Sequence, residues 1–529
     1  MSDEGMVSAE LPLARAASAA ASGRMAARLV AAATTLALAV AGCAHAPNGA
    51  ETVPSAADRP WEPPAELLAG SNVSTEGSEP TPAPAGAGGG TGTPAITTAQ
   101  ALAALPGGKL DLPLAIDLAL RNSPRTRTTW LAARAAAAEV GSQRAQLYPD
   151  LNLTGTAQRQ KGTVGGGQFA FQQTTLVPAV DLTWLLLDFG GRSADVAEAR
   201  ESLVAANFTH NQEIQDVILD VSQAFYQYVS ARALRDAARA DVEGARANLE
   251  AADRRHEAGL ATVADTLQAK TAVSVAQLAM LTAEGSMNVI RGALATAMGL
   301  PADLPVDAAP LDEEVPVVAA GQGIEEALDR ALANRPELLA ARAEARAARE
   351  RIAQERADGL PTLSLVGSDN RLYYRTPDRD PSTNYAASLQ VRVPLFAGFE
   401  HRHDVERARA EAGEESARTE ALANRVRLEV WTSYYDLQTA AQRFATAQDL
   451  LASADASAGV AAGRYHEGVG SILDLLAAQS ALANARAQKI LARADWLLGL
   501  ARLAHDTGTL AAAGPAAPTA SPVADRENP

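Results

Sequence analysis

The 529-residue chain has one cysteine and seven histidines, so it has no disulfide framework and no credible zinc framework. Aromatic residues make up 4% although hydrophobic residues make up 47%, with alanine much of the remainder. That balance suits long, closely packed helices better than a sheet sandwich. An excess of positive charge is also missing. The net charge of −16 argues against a nucleic-acid partner, which calls for a basic face. Proline is absent between Ala179 and Leu300 and again between Leu395 and Gly514. Because a proline inside a helix costs about 3 kcal/mol, these two windows are where long helices can form.

Catalytic constellations are lacking as well. His210, His256, His401, His403, His466 and His505 have no ligand spacing supported by carboxylates or cysteine, and His401-x-His403 comes nearest. GGGTGTP lacks the strand and the Lys-Ser/Thr of a phosphate loop. DFGG at 188–191 has none of the companion motifs of a kinase. The sequence predicts neither an enzyme nor a metal or cofactor site.

What is present begins with MAARLVAAATTLALAVAGC, residues 25–43: an arginine, an apolar stretch of signal-peptide length, then small residues before Cys43. VAGC resembles a bacterial lipobox, after which Cys43 would be the acylated first residue of the mature chain. Ala44 at the next position implies, by the same resemblance, sorting to the outer membrane. Met25 is an alternative start. A single acyl chain binds membranes only marginally, so a second anchor is expected. Residues 1–42 are thus assigned to an N-terminal extension and signal peptide, and the Pro/Gly/Ala-rich residues 43–108 to a flexible linker. Residues 511–529 are assigned to a similar tail, expected to be disordered.

Two structural repeats fill the rest, 109–305 and 306–510. AIDLALRNSP at 115–124 recurs as ALDRALANRP at 327–336, and Pro149 in YPDLNL falls opposite Pro361 in LPTLSL. Phe225-Tyr226 matches Tyr434-Tyr435 at a slightly smaller offset. RHEAGLATVADTL at 255–267 matches RYHEGVGSILDLL at 464–476, aligning Gly259 with Gly468 and Asp265 with Asp474. From Arg192 to His256, apolar and alanine positions recur every three or four residues, predicting one helix of roughly 100 Å. In front of each long helix the period changes to two. Leu176, Val180, Leu182 and Trp184 oppose Asp181 and Thr183; Tyr385, Ala387, Leu389, Val391, Val393 and Leu395 alternate with Ser388, Gln390 and Arg392. Such alternation over about ten residues is the length of a transmembrane β-strand. Two hairpins give four strands, too few to close a barrel, and lipid tolerates no open sheet edge. If these strands span a membrane, the channel is an oligomer.

The duplicated halves, the hairpin in each, ALRNSP/ALANRP, YPDLNL/LPTLSL, LLDFGGR/PLFAGFEHR and the glycine-centred turns resemble the TolC-like outer-membrane efflux channels. The lipobox points to their lipoprotein branch, which serves resistance-nodulation-division pumps. The resemblance covers about residues 110–510. It implies a mostly α fold with membrane β: a homotrimer whose four strands per chain build one 12-stranded barrel, continued by a long α-helical coiled-coil barrel into the periplasm. It further implies a passive exit duct for drugs or other small toxic compounds, driven by an inner-membrane pump through a periplasmic adaptor protein. Gly259-Leu260 and Gly468-Val469 would be the adaptor-contacting tips. Asp265 and Asp474, expected one and a half to two turns into the returning helices, would form the periplasmic gate with Tyr465, and Ala477 stands where some members carry a second carboxylate. Two alternatives remain open from sequence: the exit channel of a type I protein-secretion system, and a lipid-anchored periplasmic coiled-coil adaptor or scaffold. The scaffold has no need of lipid-length strands.

Overall fold

The computed structural model describes residues 53–63, 110–164, 166, 169–309, 323–376 and 378–510. Cys43, the signal peptide and the C-terminal tail lie outside them. Helix α1 (Leu112–Asn122) and helix α2 (Pro124–Ala145) lead into strands β1 (Asp150–Val164) and β2 (Phe169–Leu187). Helix α3 (Gly191–Glu257) then descends and α4 (Val263–Ala297) returns. The plan repeats as α5 (Ile324–Asn334), α6 (Pro336–Ala357), β3 (Thr362–Thr376), β4 (Asp378–Arg392), α7 (Glu400–His466) and α8 (Ile472–Asp506). Both long helices have 67 residues and both return helices 35. The length difference between the halves falls at the hairpin ends, where four residues, 165–168, join β1 to β2 and one, 377, joins β3 to β4.

Local chemistry sets these boundaries. Asp111 caps α1 by accepting from the Leu114 amide at 3.0 Å, with proline in the first turn. Ser123 ends α1 and caps α2, directly before Pro124. The turns from β2 into α3 and from β4 into α7 require left-handed backbone: Phe189 and Gly190 have φ of 52° and 99°, Gly398 and Phe399 64° and 69°. In the first turn the Asp188 carboxylate holds both the Arg192 amide (2.8 Å) and its Nε (2.9 Å).

The core is a belt rather than a centre. Its main cluster gathers Ile116 and Leu118 of α1, Val221 and Phe225 of α3, Leu294 of α4 and Trp496 of α8. Trp496 is fully buried and stacks on Phe444 of α7, ring centroids 5.9 Å apart. Below the belt the contacts thin to small-residue seams such as Ala454, Ala458, Leu482 and Ala485. Alanine there lets the helices approach closely.

One segment corrects the sequence reading. Residues 53–63, expected within a flexible linker, are docked on α2 and α3. Asn211 pairs with both the amide (2.6 Å) and the carbonyl (2.8 Å) of Trp61, whose ring meets Phe208 edge-on at 5.1 Å. Trp130 Nε1 donates to the Pro54 carbonyl, and the buried His210 contacts the Arg59 carbonyl. The indole and two amide-type groups offset the ordering cost that composition alone predicted would leave this stretch mobile.

The four strands form one antiparallel sheet in the order β1-β2-β3-β4, so β1 and β4 are its edges. Cross-strand register puts Leu151 opposite Leu182, Leu182 opposite Gly367, and Gly367 opposite Ala387. One face therefore carries Leu151, Leu153, Leu176, Val180, Leu182, Trp184, Leu365, Tyr385, Leu389 and Val391. The other carries Asn152, Thr154, Asp181, Thr183, Ser368, Ser388 and Gln390. The strands run longer than the expected 9–11 residues, but the apolar stretch of β2, Leu176–Trp184, spans nine. No α-helix among the described residues is long and apolar enough to cross a membrane, which leaves the sheet as the candidate spanning element.

Candidate periplasmic tip and its gate

Each long helix ends in the same backbone device. Gly259 has φ +74°; its amide donates to the His256 carbonyl, and the Leu260 amide donates to the Arg255 carbonyl. Gly468, with φ +77°, repeats this with Tyr465 and Arg464. This double bond pattern closes a helix through one left-handed residue, the reason glycine is needed at both points. It leaves the following residue exposed: Leu260 is 71% and Val469 70% accessible. Val263, Leu267 and Leu473 are exposed beside them, so both turns present apolar side chains.

The two aspartates lie earlier in the return helices than their spacing suggested. Both sit in the first turn, not one and a half to two turns in. Asp265 closes a capping box: its carboxylate accepts from the Thr262 amide at 2.8 Å, while Thr262 Oγ1 accepts from the Asp265 amide at 3.3 Å. Ser471 caps the second return helix through the Asp474 amide, leaving the Asp474 carboxylate exposed. The pair equivalent in sequence is thus unequal in employment.

Tyr465 is buried, packed on Ile472 and Leu475, and its hydroxyl has no hydrogen-bond partner among the described residues. Arg255 covers it. The guanidinium carbon is 4.8 Å from the Tyr465 ring centroid, and Nη1 donates to the Tyr465 carbonyl. Burial pushes the Tyr465 phenol above its ordinary value; the Arg255 cation opposes this and the Asp265 carboxylate adds to it. Tyr465 and Asp265 therefore share one electrostatic neighbourhood, whereas Asp474 lies with Arg464 in a hollow between α7 and α8. Arg255 escaped the sequence reading because arginine is common on exposed helix faces. Its place in the RRH run that ends α3, opposite RYH at the end of α7, was the available signal.

Two further ties join the hairpins above the tip: Asn248 to Gln479 at 2.5 Å and Arg486 to Asp241 at 3.1 Å. Beside them α3, α4 and α8 line an open groove with Leu267, Val275, Leu473 and Leu476. His403 of the His401-x-His403 pair lies 3.3 Å from Glu406 on the exposed start of α7.

The sequence pattern of the family described as outer membrane efflux protein matches residues 115–300 and 327–509, one stretch in each repeat. The chain belongs to that family. It is 33% identical over 399 residues to Protein CyaE of Bordetella pertussis, covering 73% of this chain and 82% of that one. It is 27% identical over 414 residues to the pyoverdine export outer membrane protein OpmQ of Pseudomonas aeruginosa, covering 74% and 84%. Among solved structures, the outer-membrane channel OprN has the same fold, with a TM-score of 0.68 and 21% identity over 75% of this chain and 90% of that one. This efflux channel is an outer-membrane protein of a Gram-negative bacterium, mostly helical with a four-stranded antiparallel sheet and an internal duplication. Its family membership makes it a transport duct.

Proposed function

We propose that three copies of the chain close a 12-stranded barrel in the outer membrane and form the passive exit duct of a tripartite efflux system for drugs or other small toxic compounds. The observation that carries this reading is the sheet: four strands, two open edges, and an apolar face on which Tyr385 is 87% and Leu389 66% exposed. Water does not tolerate that face and lipid does not tolerate those edges, so neighbouring copies pair β4 with β1 and lipid covers the apolar band. Below the membrane, α3, α4, α7 and α8 of each copy stand side by side as a tunnel wall. A periplasmic adaptor engages the exposed Leu260 and Val469 beside Gly259 and Gly468, and an inner-membrane pump supplies the energy. Asp265, Tyr465 and Asp474 form the gate, with Arg255 as its latch. Covalent lipid on Cys43 adds a second anchor to the barrel.

The reading is tested by membrane fractionation of the full chain. A heat-modifiable, SDS-resistant trimer in the outer membrane is expected, and small compounds should become toxic on deletion. A soluble monomer after Cys43→Ser would overturn it. Unchanged drug tolerance together with retention of a single secreted protein would move the cargo from small compounds to polypeptide.

A further inference from the structure

The strands continue past the apolar band, and there three cations of β1 and β3 stand on the face that carries the band. All the described helices attach at the opposite end of the strands, so this half of the sheet lies toward the outside. β1 and β2 pair without interruption from Asp150 to Val164, so face can be followed position by position. On the face of Leu151 and Leu153, β1 continues through Gly155 and Ala157 to Arg159 and Lys161. On β3 the same face reaches Arg371, paired with Thr383 across β4 before the register shifts. Arg371 stacks its guanidinium 5.4 Å from the centroid of the Tyr373 ring, two residues on and on the same face. All three cations are exposed.

The other face provides the contrast. At the same level it presents Gln158, Gln160, Gln173, Thr175, Asn370 and Asn384, with Arg379 of β4 in the row of Thr175 and Tyr374. Asp369 is the one carboxylate on the apolar face between Thr362 and Leu372. The hairpin end beyond is balanced in sequence, Arg375 and Arg379 against Asp378 and Asp380. The outermost apolar residue faces Ala157 on β2 (Leu176) but faces Asp369 on β4 (Tyr385), so the boundary crosses the sheet obliquely. Strands tilted to a level membrane surface produce such an oblique boundary.

We infer that Arg159, Lys161 and Arg371 form a lipid-facing cationic collar that binds the phosphate groups of the outer-leaflet glycolipid. The inference rests on the barrel reading above. Phosphate is the matching chemistry: guanidinium and ammonium donors stand just outside an apolar wall, where acyl chains end and charged headgroups begin. The glycolipid of the outer leaflet, rather than phospholipid of the inner one, is selected by position, since the collar lies at the end remote from the periplasmic helices.

The test uses the purified full-length trimer in neutral detergent. It compares diphosphorylated lipid A, the same lipid stripped of phosphate, phosphatidylglycerol and phosphatidylcholine, with bound lipid counted by native mass spectrometry. Diphosphorylated lipid A should bind best, with dephosphorylation weakening it about a hundredfold, as three charges near an anionic surface imply. R159Q/K161Q/R371Q should abolish the difference between the two lipid A forms while its trimer remains heat-modifiable. Equal binding of the two forms by the native protein would overturn the collar, and this arm needs no variant to fold. A preference for phosphatidylglycerol would overturn the choice of leaflet. Failure of the native chain to insert into phosphatidylcholine vesicles would instead overturn the barrel reading beneath it.

Discussion

Arg255, at the end of the first long helix, lies over the ring of Tyr465 at the end of the second and donates to its carbonyl oxygen. This contact joins the ends of two hairpins that are separate in sequence and holds both tips together within one protomer. Cation–π attraction and a charge-assisted hydrogen bond at a half-buried site are together worth about 2 kcal/mol. Arg255→Gln should therefore shift the tip toward its open state by roughly thirtyfold. Single-channel conductance in planar bilayers reads this directly; an unchanged closed fraction would remove Arg255 as a latch.

The two aspartates should respond differently although the duplication aligns them. Asp265→Ala breaks a capping box and should cost about 1 kcal/mol, seen as faster proteolysis at the Gly259 turn. Asp474→Asn leaves its cap intact, because Ser471 bonds the Asp474 amide and not its side chain. Its effect should be confined to permeation, as a reversal-potential shift toward weaker cation preference. Equal proteolytic sensitivity in the two variants would contradict the assignment.

Gly468 tests the tip itself. Its φ of +77° costs a side chain about 1–2 kcal/mol, and Arg255 Nη2 lies 3.6 Å from where a Cβ would stand. Gly468→Leu should lower export while trimer abundance stays at the native level. Normal export would show that the turn does not engage a partner.

A pH effect is expected far from the tip. His505 bridges Asp216 of α3 at 2.8 Å and Asp506 at 3.0 Å, tying the end of the second repeat to the first. Burial by itself would lower the imidazole pKa, but the two carboxylate hydrogen bonds outweigh it and hold the value at about 9 against 6.5 when unfolded. A raised folded pKa contributes stability that is complete below about pH 6.5 and lost as pH rises through about 9. The shift corresponds to about 3 kcal/mol. Trimer melting should fall between pH 6.5 and 9.5, and His505→Gln should flatten that fall. An equal slope in both proteins would dismiss the bridge.

Much of this molecule was legible in its residues because its elements are long and its plan occurs twice. Proline-free windows located α3 and α7, and period-two alternation assigned the faces of β2 and β4 correctly. The two left-handed turns at Gly259 and Gly468 followed from the repeat, since a glycine recurs at the matched position. The missing parts were long-range. Composition could not reveal that Trp61 and Asn211 dock a stretch of apparent linker, nor that Arg255 reaches a ring 210 positions away. Sequence spacing placed the aspartates too far into their helices because it could not see where the caps began.

The matched lengths of the two helical hairpins carry a final consequence. A helix turns about 100° and rises 1.5 Å with every residue, so one inserted residue in α3 would swing its tip glycine around the axis and lower it relative to its counterpart. A hairpin of strands can instead gain residues at its free end without moving anything below. The extra residues of the first half lie in the hairpin, and both descending helices keep 67. The helices behave as two rulers cut to one length, and the hairpins take up the slack.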